Sequence, residues 1–164
     1  MAIRIDNLSM LVLDDHRFMQ QVLGAILTGL GIGRLTYAMT AEKAARLMES
    51  REFDLVIADY RLDRISGAEF ARLVRASRAG DKFVPIIACT ADTTPRVIRE
   101  LRDAGVDEIL AKPVSSFAVW SKLTAVVNSR RPFVAAPSFF GPDRRRMARP
   151  LPAGRRDRRN LVLI

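Results

Sequence analysis

The sequence predicts an α/β fold in which helices cover both faces of a mostly parallel sheet. Five short apolar runs alternate with longer segments of helical periodicity, in the order (βα)₅. Runs that are apolar throughout predict strands buried on both faces, and such strands are typical of parallel sheets with crossover helices on each side. The length of 164 residues and the hydrophobic content of 49% suit one compact domain with a sizeable core.

Each predicted strand is one of the apolar runs, at residues 10–14, 34–38, 55–59, 85–90 and 108–111. Between and after these runs, apolar residues recur at helical spacing and predict five helices. The recurring residues are Phe18, Val22, Leu23 and Ile26, then Ala44, Ala45 and Met48, then Phe70, Leu73 and Val74, then Val97, Ile98 and Leu101, and finally Phe117, Trp120, Leu123, Val126 and Val127. Thr40, Ser66 and Thr94 are suited to begin helices, and the glycines of GLGIG and DAGVD to end them.

Most of the net charge is concentrated at the end of the chain. Residues 130–164 carry ten Arg against Asp143 and Asp157, which gives +8 of the total of +9. With five Pro, two Gly and no sustained hydrophobic period, they predict an extended or disordered basic tail behind a domain of residues 1–129. Such a tail suits an acidic partner or sequence-independent contact with nucleic acid, it suits docking through FVAAPSFFGP with its Phe pair, or it is simply solvated. No DNA- or RNA-binding motif accompanies it.

Other signals concern the compartment of the protein and the role of single residues. Cys89 is the only cysteine, so no intrachain disulfide is possible, and its apolar surroundings PIIACT predict a buried thiol. The N-terminus lacks the apolar core of a signal peptide, and no run reaches the roughly 18 apolar residues of a membrane span. We therefore expect a cytoplasmic protein with no membrane span. We expect His16 to be solvated or to cap a helix, and Trp120 to pack half-buried.

Polar side chains stand at the ends of four of the five predicted strands. Asp14 and Asp15 end the first strand, Asp59 the third and Thr90 the fourth, and Lys112 follows the fifth. Because ligands of parallel sheets bind at the carboxyl ends of the strands, we expect these side chains to converge there. Three neighbouring carboxylates favour a divalent cation, and an all-oxygen set predicts Mg²⁺ or Mn²⁺ rather than Zn²⁺. A hydroxyl and an ammonium beside that metal predict an aspartate that accepts a phosphoryl group.

These motifs, in this order, resemble the receiver domain of two-component response regulators. The similar stretches are LVLDD, LVIADYRLDRISG, IIACTA and LAKPV, and the resemblance covers about residues 9 to 128. It implies a flavodoxin-like, three-layer sandwich with strand order 2-1-3-4-5. It also implies a phosphoprotein that takes a phosphoryl group on Asp59 from a sensor histidine kinase or a phosphotransfer protein.

The resemblance implies a role for each residue around the phosphoacceptor. Asp15 and Asp59 would bind Mg²⁺ directly, Asp14 would bind it through water, and the backbone carbonyl of Arg61 would be a further ligand. Arg61 and Asp92 are similar to the pair that flanks the phosphoryl group and tunes its lifetime.

The resemblance further implies a switch. Thr90 would move toward the phosphoryl oxygens and Lys112 would form an ion pair with them, which would alter partner binding on the fourth helix, fifth strand and fifth helix. The chain departs from the family pattern at two positions. Ile109 replaces the aromatic switch residue, so backbone motion or Thr90 motion would carry the signal, and Asp63 replaces a common proline.

We interpret the chain as a stand-alone receiver with an unknown downstream protein target and no enzymatic or DNA-binding output domain. It would catalyse only its own phosphorylation and slow dephosphorylation. One alternative is a constitutive adaptor that works through its basic tail. Another is a phosphatase of the haloacid dehalogenase type, but Arg61 stands where that family has a second Asp. A third is that the acidic residues only cap helices and turns.

Overall fold

The computed structural model describes residues 5–128, 131–144 and 160–162, and it confirms the predicted alternation of strands and helices. The strands are β1 (Ser9–Leu13), β2 (Arg34–Ala38), β3 (Leu55–Asp59), β4 (Ile86–Thr90) and β5 (Glu108–Ala111). The helices are α1 (Arg17–Gly29), α2 (Ala41–Ser50), α3 (Gly67–Ala76), α4 (Pro95–Asp103) and α5 (Ser116–Asn128), and a short 3-10 helix occupies Ile5–Asn7. The five strands pair in parallel in the order β2-β1-β3-β4-β5. The expected three-layer fold is therefore confirmed.

The two faces of the sheet are covered by different helices. Successive side chains of a strand point to opposite faces, so each central strand contributes to two cores. Met10, Val12 and Ile57 pack with buried residues of α1 and α5, such as Leu23 and Leu123. The intervening strand residues pack with buried residues of α2, α3 and α4. Strands β3 and β4 are buried along their whole length, as their apolar sequences predict.

Local signals in the sequence begin and end the helices. The Thr40 side chain accepts a hydrogen bond from the Lys43 backbone and so begins α2. Ser66 and Glu69 form a reciprocal capping box at the start of α3. Gly105 follows α4 with a φ of 88°, a left-handed conformation that favours glycine. Thr40 and Ser66 thus fix the connections that follow β2 and β3, and Gly105 fixes the connection that precedes β5.

Several residues of the predicted helical pattern lie outside the buried faces. Phe18, Leu73 and Phe117 are 71%, 61% and 81% exposed, and Trp120 is 41% exposed. Phe18 and Phe117 are in the first turns of α1 and α5. The buried stripe of α3 runs through residues such as Val74 and leaves Leu73 outside it, although both fit an apolar repeat.

The chain after α5 differs from the expected extended or disordered tail wherever the structure describes it. Strands β6 (Phe133–Ala136) and β7 (Phe139–Pro142) form an antiparallel hairpin, and β8 (Asn160–Val162) pairs with the other edge of β6. Pro132 and Pro137 lie just outside the strands of the hairpin, and Gly141 and Pro142 pair with β6 without breaking the ladder. Residues 145–159 lie outside the described residues, and the division of the chain at residue 129 stays a prediction.

The hairpin packs at the amino-terminal ends of β4 and β5, where the chain returns from helix to strand. Phe133 is 3% exposed, and its ring centroid is 5.1 Å from that of Phe83 and 5.5 Å from that of Phe140. A Cβ atom on Gly141 would lie 2.7 Å from the Gly105 Cα, so the two backbones touch. The hairpin is therefore docked on the end of the sheet opposite to Asp14, Asp15 and Asp59, which lie at the carboxyl ends of β1 and β3. Within the described residues, no helix is long and apolar enough to cross a membrane.

Candidate functional site

The carboxyl ends of β1, β3 and β5 bring two carboxylates and one ammonium into contact. Asp14 follows β1, Asp59 ends β3 and Lys112 follows β5. The Lys112 Nζ atom lies 2.9 Å from Asp59 Oδ1 and 3.4 Å from Asp14 Oδ2. Asp14 is 1% exposed and Asp59 5% exposed, so these charges meet largely out of water. The predicted convergence of these three residues is observed.

Asp14 is held by contacts that the sequence analysis did not identify. The His16 backbone N–H donates to Asp14 Oδ1 at 2.8 Å. The buried Gln20 amide donates to the backbone oxygens of Asp14 and Ala38, each at 2.9 Å. Gln20 thereby joins the ends of β1 and β2 from inside α1. The sequence signal for this contact is Gln20 itself, a polar residue on the apolar, buried side of α1.

Burial and neighbouring charges shift the pKa values of the Asp59–Lys112 pair. Burial raises the pKa of Asp59, the hydrogen bond and charge of Lys112 oppose that shift, and the Asp14 and Asp15 charges add to it. Burial alone would lower the pKa of Lys112, but the hydrogen bond to Asp59 and the charges of Asp59 and Asp14 outweigh it, so this pKa is raised. An additional cation beside these carboxylates would therefore stabilise their ionised forms.

Asp15 supplies the observation that tests whether a metal fits here. Its Oδ1 atom is buried and accepts no hydrogen bond from the described residues, although the His16 Nδ1 atom lies 2.7 Å away. Ligand atoms of Asp14, Asp15, His16 and Asp59 all lie within 4.8 Å of one another. This set fits a divalent cation, with oxygen ligands suited to Mg²⁺. The imidazole was expected to be solvated or capping, and it is 70% exposed and makes no capping hydrogen bond.

Thr90 reaches the same end of the sheet, but its hydroxyl is hydrogen-bonded to the Asp92 backbone rather than to the carboxylates. The Thr90 Oγ1 atom accepts a hydrogen bond from the Asp92 backbone N–H and donates one to the Asp92 backbone oxygen, both at 3.0 Å. Asp92 Oδ1 in turn accepts from the Thr94 backbone N–H at 3.0 Å. The hydroxyl thus holds the connection that leads into α4.

The remaining site residues border this cluster. Arg61 is exposed, and it lines an open depression together with Asp92. Ile109 is half-buried in β5 and packs against the core on the α2–α4 face. A Cβ atom on Gly67 would lie 2.3 Å from the Asp59 backbone oxygen, so only glycine lets α3 begin this close to Asp59. The Lys112–Pro113 peptide bond is cis.

Comparison with known proteins supports the interpretation of this arrangement. The model of the response regulator receiver domain matches residues 10–124. The chain belongs to the response regulator receiver domain family. It is 30% identical over 129 residues to the sensory/regulatory protein RpfC of Xanthomonas campestris, covering 78% of this chain but only 18% of that protein. It is 26% identical to the chemotaxis protein CheY-3 of Vibrio cholerae, covering 76% of this chain and 95% of CheY-3.

The solved structure of a similar receiver domain contains a magnesium ion. The receiver domain of the sensor histidine kinase PA1611 from Pseudomonas aeruginosa, which has a magnesium ion in its active-site cleft, is 30% identical to this chain. The TM-score is 0.67, over 74% of this chain and 98% of that domain. The protein is thus a receiver of the kind found in two-component systems, a class of phosphoacceptor signalling proteins rather than classical enzymes. Its acidic cluster of Asp14, Asp15 and Asp59 is able to hold Mg²⁺.

Proposed function

We propose that this receiver accepts a phosphoryl group on Asp59 from a phosphohistidine of a sensor kinase or phosphotransfer protein. The observation that carries the proposal is the buried Asp59 carboxylate, 2.9 Å from the Lys112 ammonium and beside Asp14 and Asp15. A carboxylate that lies out of water between an ammonium and a cation site is suited to attack phosphorus. We also propose a cytoplasmic location, where such donors operate.

The chemistry requires little from the protein beyond position and charge. A carboxylate oxygen of Asp59 forms a bond to phosphorus while the phosphorus–nitrogen bond to the donor imidazole breaks, and the electron pair stays with that nitrogen. Asp14, Asp15, Asp59 and the backbone carbonyl of Arg61 would hold Mg²⁺, which neutralises phosphoryl charge when bound. Lys112 then pairs with a phosphoryl oxygen.

Phosphorylation would change the surface through Thr90. In the present arrangement its hydroxyl is hydrogen-bonded to the Asp92 backbone. A phosphoryl oxygen on Asp59 offers a stronger, charged acceptor, so Thr90 would turn toward it and release the start of α4. Ile109, half-buried beside this region, would adjust by repacking rather than by burying an aromatic ring. The face of α4, β5 and α5 would then bind a downstream protein in only one of the two states.

The lifetime of the phosphoryl group would depend on Arg61 and Asp92. These residues line one depression, and the Arg61 charge contributes to lowering the pKa of Asp92, after the larger effect of the Thr94 hydrogen bonds and that of Arg96. Across the site they would limit access of water to phosphorus, so hydrolysis would be slow. The receiver would therefore catalyse its own phosphorylation but only slow dephosphorylation. The Arg61→Ala protein is expected to lose its phosphoryl group faster than wild type. An unchanged half-life, followed with radiolabelled phosphate, would exclude this role.

A second candidate function is a constitutive adaptor that works through the basic segment. Residues 145–159 contain seven Arg and one Asp, and the residues that flank them lie at the small sheet of β6, β7 and β8. That sheet is at the opposite end of the domain from Asp59. Salt-sensitive binding of an acidic protein or nucleic acid that is equally strong with and without phosphorylation would favour this function.

Beryllofluoride, which mimics an acyl phosphate, tests the main proposal without a cognate kinase. Amide NMR spectra of the full chain are recorded with Mg²⁺ alone and with Mg²⁺ and beryllofluoride, for wild type and Asp59→Asn. We expect shifts at Asp59, Thr90 and Lys112 that extend into α4 and α5 in wild type only. A wild-type spectrum that responds to Mg²⁺ but not to beryllofluoride would contradict phosphorylation at Asp59.

A further inference from the structure

Tyr60, the residue after the proposed phosphoacceptor, is fixed through its backbone on both sides. Its N–H donates to the Cys89 backbone oxygen at 2.7 Å, and its own oxygen accepts from the Gly67 N–H at 2.8 Å. The first bond ties it to β4 and the second to the start of α3. Because Tyr60 is bonded to Asp59 and held by both hydrogen bonds, its backbone is expected to move together with Asp59.

The Tyr60 side chain connects this clamped point to the middle of α4. Its hydroxyl donates to Glu100 Oε2 at 2.9 Å in a partly buried position. Glu100 is also 3.8 Å from the guanidinium of Arg96, one turn earlier in α4. The Tyr60 hydroxyl is the donor in this contact, because an ionised carboxylate only accepts hydrogen bonds. A hydrogen bond to a carboxylate is stronger than one between neutral groups.

Two polar contacts thus tie the phosphoacceptor end of the sheet to α4. One is the Thr90–Asp92 pair in the connection that leads into α4, and the other is Tyr60–Glu100 within the helix. If Thr90 turns toward a phosphoryl group, the first contact is lost, and Tyr60–Glu100 still resists a displacement of the helix.

We propose that Tyr60 is a positioning residue whose hydrogen bond to Glu100 holds α4 in the arrangement of the unphosphorylated receiver. This inference rests on the proposed function of Asp59 and specifies how that site is regulated. A contact that exists in only one of two states shifts the equilibrium toward that state and weakens ligands that prefer the other. Tyr60–Glu100 therefore opposes phosphorylation-dependent switching and sets its threshold.

Three variants of the full chain test this role. Tyr60→Phe keeps the ring and removes the donor, and Glu100→Gln keeps an acceptor but removes the charge. Tyr37→Phe is the matched control, because Tyr37 is the only other tyrosine of the chain and lies on β2, the far edge strand from α4. Each protein with Mg²⁺ is titrated with beryllofluoride, and the amides of α4 are followed by NMR.

In Tyr60→Phe without beryllofluoride, the amides of α4 should already be displaced part of the way toward their positions in saturated wild type. Its beryllofluoride affinity should be about fivefold tighter, within the usual range of coupling between two sites. Glu100→Gln should change in the same direction by less, and Tyr37→Phe should match wild type. Tighter binding distinguishes this role from a loss of structure, which would weaken binding.

Two results would overturn the inference, and they differ in what else they overturn. If wild type responds to beryllofluoride and Tyr60→Phe has the same affinity and the same α4 amide positions, the inference is wrong and the proposed function stands. If wild type does not respond to beryllofluoride, both the proposed function and the inference are wrong.

Discussion

The two ends of the parallel sheet each hold a basic side chain beside buried or partly buried carboxylates, but only the end with Arg75 uses all the hydrogen-bond donors of its cation. At the hairpin end, Arg75 is buried and donates five hydrogen bonds, to the backbone oxygens of Lys82, Val84 and Gly105 and to the carboxylate of Asp107. Its guanidinium carbon also lies 5.0 Å from the centroid of the Phe133 ring. Burial lowers the pKa of Arg75 to about 10, against the effect of Asp107, so it stays charged at neutral pH.

At the other end, three carboxylates lie near one ammonium and the exposed imidazole of His16. Lys112 contacts Asp59 and Asp14, and Asp15 keeps a buried oxygen without a hydrogen bond from the described residues. A guanidinium with all its donors used leaves nothing for a ligand to add, whereas an excess of negative charge is relieved by a cation. The completeness of pairing, rather than the burial of charge, therefore distinguishes a structural cluster from a functional one.

Replacing Arg75 should break the structural end most severely. Arg75→Met keeps an unbranched side chain but takes five donated hydrogen bonds from their acceptors, so we expect a loss of about 4 kcal/mol in the free energy of unfolding, as for other broken buried ion pairs. Urea denaturation measures it. Arg72→Met is the control, because Arg72 is exposed on the same helix and should cost less than about 0.5 kcal/mol. Equal stabilities of the two variants would show that the Arg75 network contributes nothing.

The docking of the hairpin is tested by Phe133→Ala. The ring is 3% exposed and packs on Phe83, Phe140 and Arg75, so its removal should cost about 3 kcal/mol in the free energy of unfolding. Phe117→Ala, at a residue that is 81% exposed, should be close to neutral. The beryllofluoride response at Asp59 should persist in both folded variants. A neutral Phe133→Ala would mean that the hairpin does not pack on the domain.

Added Mg²⁺ should stabilise the folded protein only by binding at the acidic end of the sheet, at Asp14, Asp15 and Asp59. At 100 times its dissociation constant, Mg²⁺ is expected to raise the free energy of unfolding by about 2.7 kcal/mol, and chelation should reverse the gain. Asp15→Asn should remove most of this gain. In the absence of metal the same variant should be at least as stable as wild type, because it loses a repelling charge. Thermal unfolding with Mg²⁺ and with a chelator gives both numbers, and a full Mg²⁺ effect in Asp15→Asn would place the metal elsewhere.

The sheet and the acidic end could be predicted because their signals are local and repeated. Each strand is an apolar run, and a polar residue such as Asp59 or Lys112 at the end of a buried run must meet the ends of neighbouring parallel strands. The buried thiol of Cys89 followed from its apolar neighbours in the same way, and burial raises its pKa to about 12. In these cases residue type and position in the strand determine the environment.

The hairpin and its contacts could not be predicted because they depend on long-range packing. FVAA and FFGP are short, separated by Pro137 and Ser138, and followed by many arginines, so composition favoured an extended tail. Arg75 has the sequence environment of a solvated helical residue, and its burial depends on Gly105, Asp107 and Phe133, all at least 30 residues away. Likewise, no local pattern shows that Tyr60 meets Glu100.

The most direct test of the account is to find the residue that carries the phosphoryl group. The full chain is incubated with acetyl phosphate and Mg²⁺, the acyl phosphate is reduced with borohydride, and peptides are sequenced by mass spectrometry. We predict homoserine at position 59 in wild type and none in Asp59→Asn. Homoserine at Asp14, Asp15 or another carboxylate of the wild-type chain, or no modification under conditions that label a known receiver, would contradict the assignment of Asp59 as the phosphoacceptor.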